Sequence, residues 1–409
     1  MKNTILFASL TLTLAWGLVH APALRAEESD YAPLVYDEDE AKEERSLLRP
    51  YLEPAHIPTA EYLASCQGVG GQEYKGNETP EQLKAKSAKF QGIYDSIVAA
   101  LPEKLSVPVA RKRKILVLTY RTWAFYHTPG AAGCLIFLRE AAKKYGTFEI
   151  TEVYKPDGID AKMLAGFDAV VLDNIMVAYR SGKYGSQSRP KADTASQEDI
   201  AKLRAKEFAI WNPLYNELLP AYVKNGGGLV GVHGIAVMPI MSGQNTDKME
   251  FAVMLGGAVD GQCHPLTDGT NKGPYGYCPA PLKILEPNNP LTFAFRDALN
   301  GGLKCVELYS FWLPTASMDS SRALIGYDTD KKPNVTFNPK SVERSKEFAT
   351  STVWIKSYGK GRVYYSALGH YEENFGVPCI AQAYLDGLLY ATGDLKVPDA
   401  PATAASANK

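Results

Sequence analysis

Four histidines carry most of the chemical potential of this sequence. His127, His233, His264 and His370 each lie close to glycine or proline where a strand-like or turn-rich segment ends, and the whole chain has only six histidines. Imidazole exchanges protons near neutral pH and is a common nitrogen ligand for zinc-like ions. Three or four such rings on one rim, joined by the carboxylate of Glu307, would either hold a divalent ion (Zn or Mn) with one position open, or move protons. Taken singly, each histidine reads equally well as a hydrogen-bonded structural residue, and Glu307 as a strand-end salt bridge. Arg121, Trp123, Tyr126, Tyr309 and Trp312 would add the hydrogen-bonding and aromatic surface on which sugars stack, or be ordinary core aromatics. The expectation of a shared site rests on the recurrence of histidine at loop positions.

The element that positions these groups most clearly is Asn225-Gly-Gly-Gly-Leu-Val-Gly-Val-His233-Gly234. A glycine run that can end a helix leads at once into a short apolar run, then a histidine: the way a buried strand delivers a polar residue to its carboxyl edge. In open α/β sheets that edge is where ligands bind. Hydrolases on such sheets put a serine or cysteine at this turn, so histidine here removes the central atom of an acyl-enzyme mechanism. The glycine run lacks the lysine and hydroxyl of a phosphate loop, and no GxGxxG opens a helix. The sequence therefore offers no cradle for a nucleotide cofactor.

Other elements follow the same rhythm. Ile115–Thr119, Phe148–Val153 and Phe167–Leu172 read as buried strands, with helices predicted after Pro129-Gly130 and over 200–224, where Gly226 suits the residue just past the helix end. Strand and helix alternating in this way predict a mostly parallel, doubly wound α/β sheet. Past His233 comes a helix over 247–255. Short strands then follow at 282–285, 304–311, 323–327, 352–357 and 362–368, the last two joined by the turn Tyr358-Gly-Lys-Gly361. These are added antiparallel strands, and a helix from Cys379 to Tyr390 closes the unit. The organisation expected is a leader over 1–26, an N-terminal extension with one amphipathic helix over 27–110, the α/β domain over 111–393 and a low-complexity tail over 394–409. The polar insertion 181–198 reads as a loop or lid.

Lys plus Arg number 44 and Asp plus Glu 45 in 409 residues, a formal charge of −1, which gives no global electrostatic case for nucleic acid or an anionic membrane surface. Residues 1–26 have the charge and small-residue pattern of a secretory leader, with Lys2, an apolar run from Ile5 to Val19 and alanines at 21, 23 and 26. That run is shorter than the roughly 18 residues of a membrane span, so the expectation is cleavage, a periplasmic or secreted protein, and no span in the mature chain. Export would favour disulfides: Cys263 and Cys278 bracket the His264 loop and could staple it, although several of the six cysteines read equally as buried apolar residues.

The series 120–127, Asn225 to Gly234, Leu255-Gly-Gly-Ala-Val-Asp-Gly-Gln-Cys-His-Pro265, Val306-Glu-Leu-Tyr309 and Tyr358-Gly-Lys-Gly-Arg-Val-Tyr-Tyr-Ser-Ala-Leu-Gly-His370 resembles the trehalose-utilisation (ThuA-like) family, in its order and approximate spacing from about Lys114 to Tyr390. The resemblance implies a class I glutamine-amidotransferase-like fold and functional roles for His127, His233, His264, Glu307 and His370. That fold also places a His-x-Glu pair near the chain end, which His370-Tyr-Glu372 matches, with His233 where the cysteine would stand. This chain departs from the family pattern at Asn289-Pro290 and Val306-Glu307. The implied function is carbohydrate processing, on disaccharides or glycosides in part through 3-keto intermediates. Catalysis would fall to His233, Glu307, His370 and Glu372, and a metal to His233, His264 and His370. Arg121, Tyr126, His127, Tyr309 and Trp312 would hold the sugar. The alternative is a non-enzymatic sugar-binding module on the same fold.

Overall fold

The computed structural model describes residues 80–119, 128–153, 156, 158–175, 211–237, 249–259, 282–299, 303, 309, 311, 320–328 and 351–400. In chain order these form α1 (Pro80–Ala100), β1 (Arg113–Leu118), α2 (Thr128–Tyr145), β2 (Phe148–Val153), α3 (Ala161–Leu164) and β3 (Ala169–Asp173). A π-turn (Leu214–Leu218) then runs into α4 (Leu219–Lys224), followed by β4 (Gly228–Val232) and α5 (Glu250–Leu255). The rest comprises β5 (Leu282–Ile284), β6 (Arg322–Tyr327), β7 (Ser351–Tyr358), β8 (Gly361–Ser366) and α6 (Pro378–Ala391).

All eight strands join one sheet in the order β2-β1-β3-β4-β8-β7-β6-β5. The pairings from β2 through β8 are parallel and those from β8 through β5 antiparallel. β3 and β4 are buried at every position, as strands covered on both faces should be, which is why they read as unbroken apolar runs. Along β4, Val230 and Val232 join a core with Leu135, Phe137, Tyr384 and Leu388 of α2 and α6. Gly231, between them, faces Leu255 of α5 on the other side. Helices on both faces make this the doubly wound, mostly parallel sheet with antiparallel additions that the strand pattern predicts.

Local chemistry accounts for the boundaries near the site. α4 ends at Asn225 with Gly226 at φ +117; the N–H of Gly226 donates to Val223 O at 2.9 Å and that of Gly227 to Tyr222 O at 3.1 Å. This paired closure needs a left-handed residue, so the turn into β4 depends on glycine. The helix before it widens ahead of Pro220, where the Leu219 N–H reaches back five residues to Leu214 O, because proline has no N–H to continue the ordinary pattern. One turn of helix, α3, escaped the sequence reading; Asp160 caps it by accepting from the Met163 N–H at 2.7 Å. Of the strand predicted over 304–311, only Tyr309 and Phe311 are described. Phe311 makes an isolated antiparallel bridge to Val259.

The amphipathic helix of the extension, α1, buries Ile97 completely and Ile93 nearly so, packing on α2, α6 and the 3-10 turn Glu372–Gly376. Among the described residues no helix is long and apolar enough to cross a membrane.

Candidate active site

β3, β4 and β8 lie side by side and run the same way, so their carboxyl ends open on one rim. β3 delivers Asp173 and Asn174 there, β4 delivers His233, and the chain leaving β8 delivers Ala367 to His370; hydrogen bonds join Asn174, Gly234, Gly369, His233, Ala367 and His370. β1 sits between β2 and β3, so the order of strands reverses beside Asn174, the place where such sheets leave a crevice.

His233 is the centre. It is fully buried and takes φ +40, left-handed for a residue with a side chain, a conformation costing roughly 1–2 kcal/mol. What holds it is a set of bonds to both its backbone and its ring. The Tyr365 hydroxyl donates to the His233 carbonyl at 2.8 Å, and the Gly234 N–H donates to Asn174 Oδ1 at 3.2 Å. The ring nitrogen Nδ1 lies 2.7 Å from Ala367 O. A carbonyl only accepts, so Nδ1 must carry the proton, and in the neutral ring Nε2 is left with the lone pair.

Two polar groups face that nitrogen. Tyr309 Oη is 2.6 Å from His233 Nε2 and His370 Nδ1 is 2.9 Å from it. The Tyr309 ring stacks on His233 with centroids 4.5 Å apart, and the His370 ring meets it edge-on at 4.9 Å. With His370 Nδ1–H donating to His233, the lone pair of neutral His370 is on Nε2, at the opposite side of its ring. His370 and Tyr309 are both buried, at 1% and 5% exposure. The three side chains form one group centred on His233, which is itself tied to the backbone carbonyl of Ala367.

Two of the four histidines predicted to converge, His233 and His370, are thus in direct contact. Tyr309 belongs with them, its hydroxyl engaged by an imidazole. Glu372 is buried two residues beyond His370 and opens the 3-10 turn. His127, His264, Glu307, Arg121, Tyr126, Trp312, and the Cys263–Cys278 pair lie outside the described residues. Cys134 and Cys379 are buried thiols, and burial pushes that of Cys379 up. Asn289, where the family pattern was expected to differ, caps a 3-10 turn by accepting from the Leu291 N–H at 3.1 Å.

The arrangement bears on metal binding. With Nδ1 of His233 on the Ala367 carbonyl, Nε2 is the ring nitrogen that could meet an ion, and in this structure it lies beside Tyr309 Oη and His370 Nδ1. Among the described residues no three His, Cys, Asp or Glu side chains gather as a metal group.

The sequence reading missed Asn174. It carried the same signal as His233, a polar residue at the carboxyl end of an apolar strand, but an amide suggests no chemistry by itself. The support of the site also depends on α2. A Cβ on Gly130 would lie 2.3 Å from His370 O and 2.4 Å from Gly369 O, and one on Gly133 would lie 2.8 Å from the Glu372 Cα. The start of α2 therefore rests directly on the backbone that carries His370.

Several solved structures are similar to this chain. A ThuA-like protein of Bacteroides uniformis is 16% identical, with 70% of this chain and 95% of that one covered at a TM-score of 0.44. A ThuA-like protein of Parabacteroides merdae is 15% identical over 70% and 92%, with a TM-score of 0.35. A cytoplasmic protein of Salmonella typhimurium is 13% identical over 68% and 99%, with a TM-score of 0.38. No curated protein matches. The model of the trehalose utilisation family, ThuA, matches residues 114–391, a span that holds all eight strands from Lys114 of β1 onward and every residue of the cluster. The chain belongs to the ThuA family.

Proposed function

We propose that this protein is an exported carbohydrate-processing enzyme that works by acid–base chemistry on keto-disaccharides or glycosides, with His370 as the base. The observation that carries the reading is the contact of His370 Nδ1 with His233 Nε2, with His233 in turn held by Ala367 O and Tyr309. His370 Nδ1–H remains a donor to His233 whether or not Nε2 holds a proton, so the ring keeps its aim through a catalytic cycle. A binding module has no need of such an oriented pair.

On a 3-keto glycoside the step is written as follows. His370 Nε2 takes the proton from the carbon beside the ketone, and the C–H electron pair moves into an enolate. The enolate then either takes a proton back on another face or carbon, giving isomerisation, or expels the glycosidic oxygen from the next carbon. In the second case the departing oxygen takes up a proton from His370 Nε2–H, directly or through water, which restores the base, and a double bond remains in the ring. A bound divalent ion would polarise the keto oxygen, with His264 and Glu307 as candidate ligands by residue type. Export is supported by the leader pattern of residues 1–26.

The test is deuterium exchange. Purified protein incubated with a 3-keto glycoside in heavy water, with and without added Zn or Mn, should place deuterium on the carbon beside the ketone, and His370→Gln should abolish this. Protein that leaves both that proton and the glycosidic bond unchanged under all conditions overturns the reading.

A further inference from the structure

Asn174 makes two hydrogen bonds to two different strand ends. It is fully buried, follows β3 directly and takes φ +50. Its Nδ2 donates to Gly369 O at 3.0 Å and its Oδ1 accepts from the Gly234 N–H at 3.2 Å. Gly369 immediately precedes His370, and Gly234 immediately follows His233. One planar group thus grips the peptide beside each imidazole. The task needs a donor and an acceptor on the same short side chain in a left-handed backbone, and asparagine supplies all three.

We propose that Asn174 is a positioning residue: it sets the spacing that lets His370 Nδ1 donate to His233 Nε2, and so keeps the lone pair of His370 on Nε2. This rests on the reading of His370 as the base. The hydrogen bonds of Asn174 go to the two peptides rather than to the imidazoles, and it takes no proton in the reaction.

Two substitutions separate this role from general support. Asn174→Gly removes the amide but suits the left-handed backbone. Asn174→Asp keeps an acceptor for the Gly234 N–H and offers Gly369 O a second acceptor in place of a donor. Nitrogen-15 NMR of the imidazoles distinguishes a nitrogen that bears hydrogen from one that does not. In the unsubstituted protein, neutral His233 and His370 should both bear hydrogen on Nδ1. In both variants His370 should revert to hydrogen on Nε2, the form preferred by an imidazole in water, with a tenfold or greater loss of kcat and little change in KM. His233, still bonded to Ala367 O, should keep its Nδ1–H in Asn174→Asp. If the unsubstituted protein shows the expected pair but both variants keep hydrogen on His370 Nδ1, the role of Asn174 is overturned while the base stands. If the unsubstituted protein itself has hydrogen on His370 Nε2, the base reading falls, and the positioning role with it.

Discussion

At Tyr309 and His233 the hydrogen-bond partners assign roles that can be tested one atom at a time. Tyr309→Phe removes the 2.6 Å bond to His233 Nε2 but leaves the His370 donor in place, so turnover should fall about tenfold. His370→Gln, which deletes the proposed base, should cost about 10²–10⁴-fold. Equal losses from the two would contradict the assignment of the base to His370. Away from the site, Asp386 offers a pH test. Burial pushes its carboxyl up to about 6, against the opposing hydrogen bonds from Ser106 Oγ and Gln382 Nε2. A carboxyl whose folded value exceeds its unfolded value binds more protons in the folded state, so its contribution to stability falls as pH rises from about 4 to 6. Asp386→Asn removes that buried charge and should raise stability by up to about 3 kcal/mol above pH 6, with no gain below pH 4. Melting temperatures of both proteins across that range check the sign.

The element with the most consequence for the site is α2, although it carries no proposed catalytic side chain in its described part. Gly130 lets its first turn lie against the carbonyls of Gly369 and His370. Gly130→Ala must push one of the two away, at a cost of about 1–3 kcal/mol. The expected result is a folded protein with a lowered melting temperature and a His370 displaced from His233, hence a loss of turnover disproportionate to the loss of stability. α5 is supported differently. Trp354 Nε1 and Lys356 Nζ, from β7, donate to the carbonyls of Leu255 and Val253 in its last turn, at 2.8 and 2.5 Å. These bonds satisfy groups that a helix end would otherwise leave without partners. The burial that makes them possible lowers the Lys356 amine to about 8.

At the scale of the molecule, the stretch that matches the family does not contain all that holds the sheet together. α1 buries Ile93 and Ile97 against α2 and α6, and each isoleucine so buried is worth roughly 1.5–3 kcal/mol. Arg113 Nε donates to Asp394 Oδ2 at 2.9 Å, tying residues on either side of the matched span 114–391. A chain cut to that span should therefore melt well below the full chain or aggregate, and restoring residues 80–113 with 392–400 should recover most of the difference. A truncated protein as stable as the parent would show that the packing of α1 contributes little.

The sequence by itself determined most of the elements and the edge. Strands covered on both faces must be apolar throughout, so β1, β3 and β4 were visible as runs, and the glycines after α4 marked where β4 begins. The positions of His233 and His370 past the ends of strands β4 and β8 followed from the same local patterns. What only the tertiary structure decided is which of these ends meet. β8 enters the sheet beside β4 after the antiparallel excursion through β5, β6 and β7, and this brings together two imidazoles 137 residues apart. Local patterns record how deeply a residue is buried, whereas a hydrogen-bond partner depends on strand order, which no spacing in the chain encodes. For the same reason Asn174, an amide with no chemistry of its own, became visible only once the peptides on either side of it were in place.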